Sequence, residues 1–93
     1  MTYDILNNEK QSRYETTVDG KTAFTAYNRE GDTMTFTHTE VPPELEGKGI
    51  AGAIVKYALN DARSNSLGVV AACAYVASYL QRHPEYEDLL REI

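Results

Sequence analysis

The stretch VPPELEGKGIAG, Val41 to Gly52, decides how the rest of the chain is read. Just before it, TMTFTHTE alternates strictly from Thr33 to Glu40, the period of a strand. That alternation predicts Met34, Phe36, His38 and Glu40 on one face and Thr33, Thr35, Thr37 and Thr39 on the other. Val41 closes the strand, two prolines break it, and Gly47-Lys48-Gly49 leads into residues of helical period. A strand, a glycine turn and a helix N-terminus in that order can hold an anion. The first N–H groups of a helix have no internal partner, and its macrodipole places about half a positive charge there. Glycines at 47 and 49 permit positive φ and let a phosphate reach the backbone with no Cβ in the way. An ordinary strand-to-helix loop is the competing reading of the same residues.

Downstream, Ile50, Ala53, Ile54, Tyr57, Ala58 and Ala62 fall on one helical stripe, with Lys56, Asn60 and Arg63 away from it. Ser64 to Gly68 ends the helix, and Gly68 suits a left-handed position. LGVVAAC, Leu67 to Cys73, lacks polar side chains and reads as a strand buried on both faces. A strand, a crossover helix and another strand imply parallel pairing with the Thr33–Val41 strand. Ala74 to His83 is expected to be helical, and a last helix near Pro84 would bury Tyr86, Leu89, Leu90 and Ile93.

Upstream, Arg13 to Val18 and Lys21 to about Arg29 read as strands joined by an Asp19-Gly20 hairpin turn, with a second turn at Glu30-Gly31-Asp32. Tyr3, Ile5 and Leu6 are possible anchors in a polar N-terminal segment, and Asn7-Asn8 reads as a turn. The fold class that results is α+β: a three-strand antiparallel meander extended by one parallel strand, with helices packed on the sheet.

Ninety-three residues, 42% hydrophobic and 25% charged, suit one small globular domain spanning 1–93. A net charge of −5 argues against nucleic-acid or anionic-membrane surfaces, where basic patches supply the affinity. One cysteine cannot form an internal disulfide. The first ten residues lack the pattern of a signal peptide, and no run of 18 apolar residues occurs. A cytoplasmic location is the expectation, and no metal site is expected.

At this point the residues carry a resemblance. EGKGIA, Glu46 to Ala51, is similar to the (Q/R)xxGx(G/A) acetyl-CoA pyrophosphate motif of the GNAT N-acetyltransferase superfamily. Over HTEVPPELEGKGIAGAIVKYAL, ACAYV and YLQRHPEY, the chain resembles the short stand-alone GNAT-like proteins of the YjdJ type. The glycine motif alone is weakly specific; the blocks in order, spread over about Arg13 to Leu90, are strongly so. The resemblance implies a GNAT-like mixed sheet without the superfamily's first two helices, which normally build the acceptor site. It implies acetyl-CoA (coenzyme A) as cofactor and an unidentified amine as acceptor. It places Val41 against pantetheine, and Glu46, Gly47, Lys48, Gly49, Ile50, Ala51 and Gly52 along the pyrophosphate. Glu46 departs from the usual Gln or Arg, and its carboxylate would repel phosphate unless it faces solvent or a backbone N–H.

Three residues carry candidate chemistry. Tyr79 lies early in the helix after the last strand, like the tyrosine that protonates the leaving thiolate in many GNAT enzymes; a core aromatic is the alternative. His38 could take a proton from an ammonium acceptor or a thiol, or simply hold the strand end, and Glu40 reads as a solvated carboxylate. The resemblance puts Cys73 beside the acetyl group, where a thiolate could take the acetyl before passing it on. A buried cysteine that only packs is the other reading. An N-acetyltransferase is the leading functional expectation, ahead of a CoA-binding module without turnover or a small protein-interaction domain.

Overall fold

A computed structural model of the chain describes residues 3–91. Among the described residues, five strands run in chain order across one sheet: β1 (Leu6–Asn8), β2 (Arg13–Val18), β3 (Lys21–Glu30), β4 (Thr33–Glu40) and β5 (Gly68–Ala71). The first four pair antiparallel and β5 lies parallel to β4, with α1 (Ile50–Ser64) as the crossover. A second helix, α2 (Ala74–Arg82), follows β5. The α+β architecture and the parallel extension therefore stand as read.

The β2–β3 hairpin turns on Asp19 and Gly20, with φ of 53° and 77°. Both central residues in the left-handed region define the turn whose twist matches flanking strands. The N-terminal segment departs from expectation, because Asn7 and Asn8 belong to β1 and the turn falls beyond them, with Ser12 at φ 53°. Their side chains are committed to the sheet. Asn8 Nδ2 donates to Glu15 Oε1 at 3.1 Å, and Asn7 Oδ1 accepts the Tyr27 hydroxyl at 2.6 Å. The antiparallel meander thus has four strands.

Pairing between β3 and β4 shifts by one residue: Phe36 faces Tyr27, whereas His38 faces Ala26. Thr37 is the extra residue, a β-bulge that reverses which face the later side chains occupy. Met34 and Phe36 are buried, but His38 and Glu40 lie exposed on the opposite face, and Thr39 turns inward instead. The expectation of one face shared by all four residues is corrected by that single insertion.

Helix α1 buries Ile50, Ile54, Val55, Ala58, Leu59 and Ala62. The buried stripe is rotated from the one expected, with Val55 and Leu59 inside and Tyr57 43% exposed. Its end is left-handed at Ser66 (φ 57°) rather than at Gly68. Gly68 instead makes room for Arg91, whose Cγ would lie 2.5 Å from a Cβ at that position. The last segment, Pro84–Leu89, is a 3₁₀ helix that buries Tyr86 and Leu89. Leu90 leaves the expected stripe to bridge Val69, and Ile93 lies outside the described residues. Helices and sheet share one core containing Tyr14, Phe36, Ile54, Leu59, Val69, Val76 and Leu80.

Tyr14 is fully buried, and its hydroxyl donates to Asp61 Oδ2 at 2.6 Å, tying β2 to α1. Burial foremost, with the Asp61 bond second, pushes the Tyr14 phenol pKa far upwards. Replacing Tyr14 by Phe should cost about 1–2 kcal/mol at neutral pH, read from urea unfolding. The raised folded-state pKa also fixes a sign. The Tyr14 contribution is fully present below about pH 10, the pKa of an unfolded tyrosine, and is lost as pH rises from there towards the folded value. The loss of stability on raising pH above 10 should therefore be shallower in Tyr14→Phe than in the native protein.

Candidate active-site cleft

Strands β4 and β5 stay paired only as far as Phe36 and Ala71. The last link is the Cys73 N–H donating to the Phe36 carbonyl at 2.8 Å, after which the chain enters α2. The remainder of β4 runs on alongside β3 alone. Beyond the parting lies a cleft of about 390 Å³ lined by Thr39, Val41, Leu45, Glu46, Gly47, Gly49, Ile50, Ala51, Gly52 and Tyr75. Its floor at Leu45 and Ile50 is buried, and its rim at Glu46 through Gly49 is exposed.

The sequence explains this wall. Pro42 and Pro43 end the strand and start a single 3₁₀ turn over Pro43–Leu45 that seats Leu45 in the core. Gly47 (φ 80°) and Gly49 (φ 73°) then take left-handed conformations. A Cβ at either would meet nothing within 4 Å, so the space beside them is open. Gly49 caps α1 with no side-chain hydrogen bond. The first N–H returned to the helix ladder is that of Ala53, to the Gly49 carbonyl at 3.1 Å. Three earlier N–H groups, at Ile50, Ala51 and Gly52, therefore sit at the cleft with the positive end of the helix behind them.

Contacts from outside the stretch hold it in place. The Tyr3 hydroxyl donates to the Lys48 carbonyl at 2.7 Å, pinning the glycine turn from the N-terminal segment. Tyr75 crosses the first turn of α1, its hydroxyl 3.6 Å from where a Gly52 Cβ would stand. The Glu46 backbone N–H closes the 3₁₀ turn at the Pro43 carbonyl, 3.2 Å away, while its side chain is exposed. That is the solvent-facing arrangement under which a carboxylate is tolerable near an anion.

The fold brings Val41, Glu46, Gly47, Gly49, Ile50, Ala51 and Gly52 together around the cleft, with exposed Lys48 between the two turn glycines. It does not bring His38, Cys73 and Tyr79 to that lining. His38 sits across the sheet, its Nε2 3.4 Å from Glu40 Oε2, with both side chains 62% exposed. Its ring packs edge-on to Phe24, which also carries the Arg13 guanidinium 4.6 Å above its face. Tyr79 is only 6% exposed and stacks on His83 with ring centres 4.0 Å apart. Burial raises its pKa, keeping the phenol protonated. Cys73 is 7% exposed, with its Sγ 3.4 Å from Thr39 Oγ1.

Thr39, Leu45 and Tyr75 are the cleft residues that the sequence reading did not single out. Tyr75 lay within the ACAYV block and offered a signal. Thr39 was hidden by the bulge, because uninterrupted alternation assigns it to the opposite face.

The comparisons with known proteins agree with this geometry. The family model described as GCN5-related N-acetyl-transferase matches residues 13–89. The chain belongs to the GCN5-related N-acetyltransferase family. The NMR solution structure of a GCN5-like protein from Staphylococcus aureus is similar to it, with a TM-score of 0.76 and 22% sequence identity. That likeness covers 98% of this chain and 90% of the other, and at such identity it speaks for the fold.

The packing of Cys73 has a direct consequence. Iodoacetamide should label it slowly in the folded protein and at the rate of a free thiol in denaturing urea. Equal rates in both conditions, followed by mass spectrometry, would contradict the burial described.

Proposed function

We propose that the chain binds acetyl-CoA in the cleft and transfers the acetyl group to an amine. The observation that carries this reading is the conjunction of an uncapped helix N-terminus, two left-handed glycines and the parted β4–β5 edges around one cavity. The cradle fits a pyrophosphate, since a side chain at Gly47 or Gly49 would fill the space a phosphate needs. Val41, leaving β4 beside that space, is the backbone against which an extended pantetheine arm would lie. Bound acetyl-CoA supplies an acetyl group activated as a thioester.

The residues of the chain divide the remaining work. The amine nitrogen bonds to the acetyl carbon as the carbon–sulfur bond breaks, and the nitrogen proton passes to a base. His38 with Glu40, on the other face of β4, is the base we assign, serving an acceptor that arrives over that face and meets the acetyl group at the gap where β4 and β5 part. Tyr75, whose ring lines the cleft, is the hydroxyl we assign to protonate the departing thiolate, in place of the enclosed Tyr79. Direct transfer is favoured over an acetyl-cysteine, because Cys73 is buried and is not among the residues that line the cleft.

Titration with acetyl-CoA and CoA, followed by amide NMR, tests the reading. Shifts should centre on Gly47–Gly52, Thr39 and Tyr75. Gly49→Val, kept only if circular dichroism shows it folded, should lose at least tenfold in affinity, about 1.4 kcal/mol. Unchanged binding by the folded variant would sink the proposed cradle. Lys48→Ala should weaken binding by no more than about 1 kcal/mol, because its exposed charge is screened. Complete loss would transfer the phosphate-holding role from the backbone to that side chain. Turnover is a separate measurement: release of free CoA across a panel of amines distinguishes an enzyme from a CoA-binding module. Intact mass after incubation with acetyl-CoA alone should show no added acetyl group; an adduct missing in Cys73→Ala would establish the covalent route instead.

A further inference from the structure

Thr39 is the side chain that β4 presents to the cleft at the point where β4 and β5 part. It is also the middle member of a chain of three hydrogen-bonding groups. Thr25, with 0% exposure, places Oγ1 at 2.8 Å from Thr39 Oγ1. Cys73 Sγ lies 3.4 Å from the same oxygen.

A hydroxyl oxygen can accept two hydrogen bonds and donate one. Thr25 has a second possible acceptor, the His38 carbonyl, but at 3.4 Å that contact is long for an O–H···O bond. The 2.8 Å contact has the ordinary length and can run either way; with Thr25 as its donor, Thr25 makes the better of its two bonds and Thr39 keeps its own proton. The Cys73–Thr39 contact can likewise run either way, and a Cys73 thiol can donate to Thr39 Oγ1 across it. In the arrangement where both neighbours donate, the two Thr39 lone pairs are occupied and its proton is directed to neither of them. The residue lines the cleft, so that proton is available to a ligand there. Accepting from two donors also polarises the O–H bond and strengthens what it donates.

We propose that the Thr39 hydroxyl donates a hydrogen bond to the thioester carbonyl oxygen of bound acetyl-CoA, with Thr25 and Cys73 as its positioning residues. The proposal rests on the acetyl-CoA reading above and adds a discriminator between acetyl-CoA and free CoA, which lacks that carbonyl. It also gives the buried cysteine a role as a neutral donor. A thiolate would instead claim the Thr39 proton and leave the carbonyl without it.

The test is binding of acetyl-CoA and of CoA to the native protein, Thr39→Val and Thr39→Ser, with the acetyl carbonyl labelled with carbon-13. Thr39→Val should lose roughly three- to tenfold in affinity for acetyl-CoA while holding CoA as before, and Thr39→Ser should keep both. The labelled carbonyl should move downfield on binding to the native protein and to Thr39→Ser, but not to Thr39→Val. Equal weakening of both ligands in Thr39→Val would overturn the proposal and leave Thr39 a structural residue. An unmoved carbonyl resonance in the saturated native protein overturns it with no variant needed, even if Thr39→Val fails to fold. Failure of the native protein to bind either ligand removes the underlying cofactor reading, and this proposal with it. Binding of both ligands with no carbonyl response refutes the Thr39 assignment alone.

Discussion

Strand β4 has two partners over its first half and one over its second, and the cleft exists because of that difference. Up to Phe36 it is held between Tyr27 of β3 and Ala71 of β5. The Cys73 N–H satisfies the Phe36 carbonyl, and the chain then turns into α2 rather than continuing the ladder. Backbone left unpaired inside a protein is costly. The segment beyond Phe36 meets that constraint by opening onto a cleft, where solvent or a ligand can reach it. The helix N-terminus faces the same cleft with further unpaired donors. Two features that would be liabilities in a closed core are thus placed around one opening.

The bulge at Thr37 acts on the same strand and decides which chemistry faces which side. A regular strand would have carried the face of Met34 and Phe36 on to His38 and Glu40, burying two ionisable groups. One extra residue puts them on the side where they are 62% exposed and turns Thr39 inward, a residue small enough to be satisfied by Thr25 and Cys73. Desolvating a histidine–carboxylate pair costs several kcal/mol, whereas a hydroxyl with partners costs little. That balance is a physical reason for the bulge to sit between Phe36 and His38.

Much of this was legible in the residues because local rules and tertiary packing agree there. Asp19-Gly20 demands a tight hairpin, Gly47 and Gly49 demand positive φ, and the apolar run after Leu67 demands a buried strand. The family resemblance rested on residues that also build the cleft wall. The misread features were set at a distance. Asn7 and Asn8 look like turn residues until Tyr27 and Glu15 supply partners for their amides. Gly68 looks like a helix stop until Arg91, 23 positions later by the numbering, is seen packed against it. The stripe of α1 is rotated because its neighbours include β2, β5 and the C-terminal 3₁₀ segment as well as β3. A bulge leaves no mark in hydrophobic alternation when threonines occupy both faces, so Thr39 could not be found that way.

The division of labour within the core follows from these contacts. Tyr14, at the far end of α1 from the cleft, spends its hydroxyl on Asp61 and its ring on Tyr27, Phe36 and Tyr57. Tyr79 is enclosed between His83 and Tyr86. Both phenols are kept protonated by burial, and the Tyr14 proton is already donated to Asp61. Tyr3 and Tyr75 instead reach the glycine turn and the first turn of α1, where they shape the cleft from opposite ends of the sequence. Tyrosine suits both tasks because one end of the side chain is apolar and the other makes a directed bond. Tyr3 lies before residue 13, outside the stretch matched by the family model, yet it holds the Lys48 carbonyl. In a trans peptide the following N–H points the opposite way from that carbonyl. Fixing one with Tyr3 therefore fixes the direction of the Gly49 N–H, and a contact from the N-terminal segment becomes part of how the glycine turn beside the cleft is held.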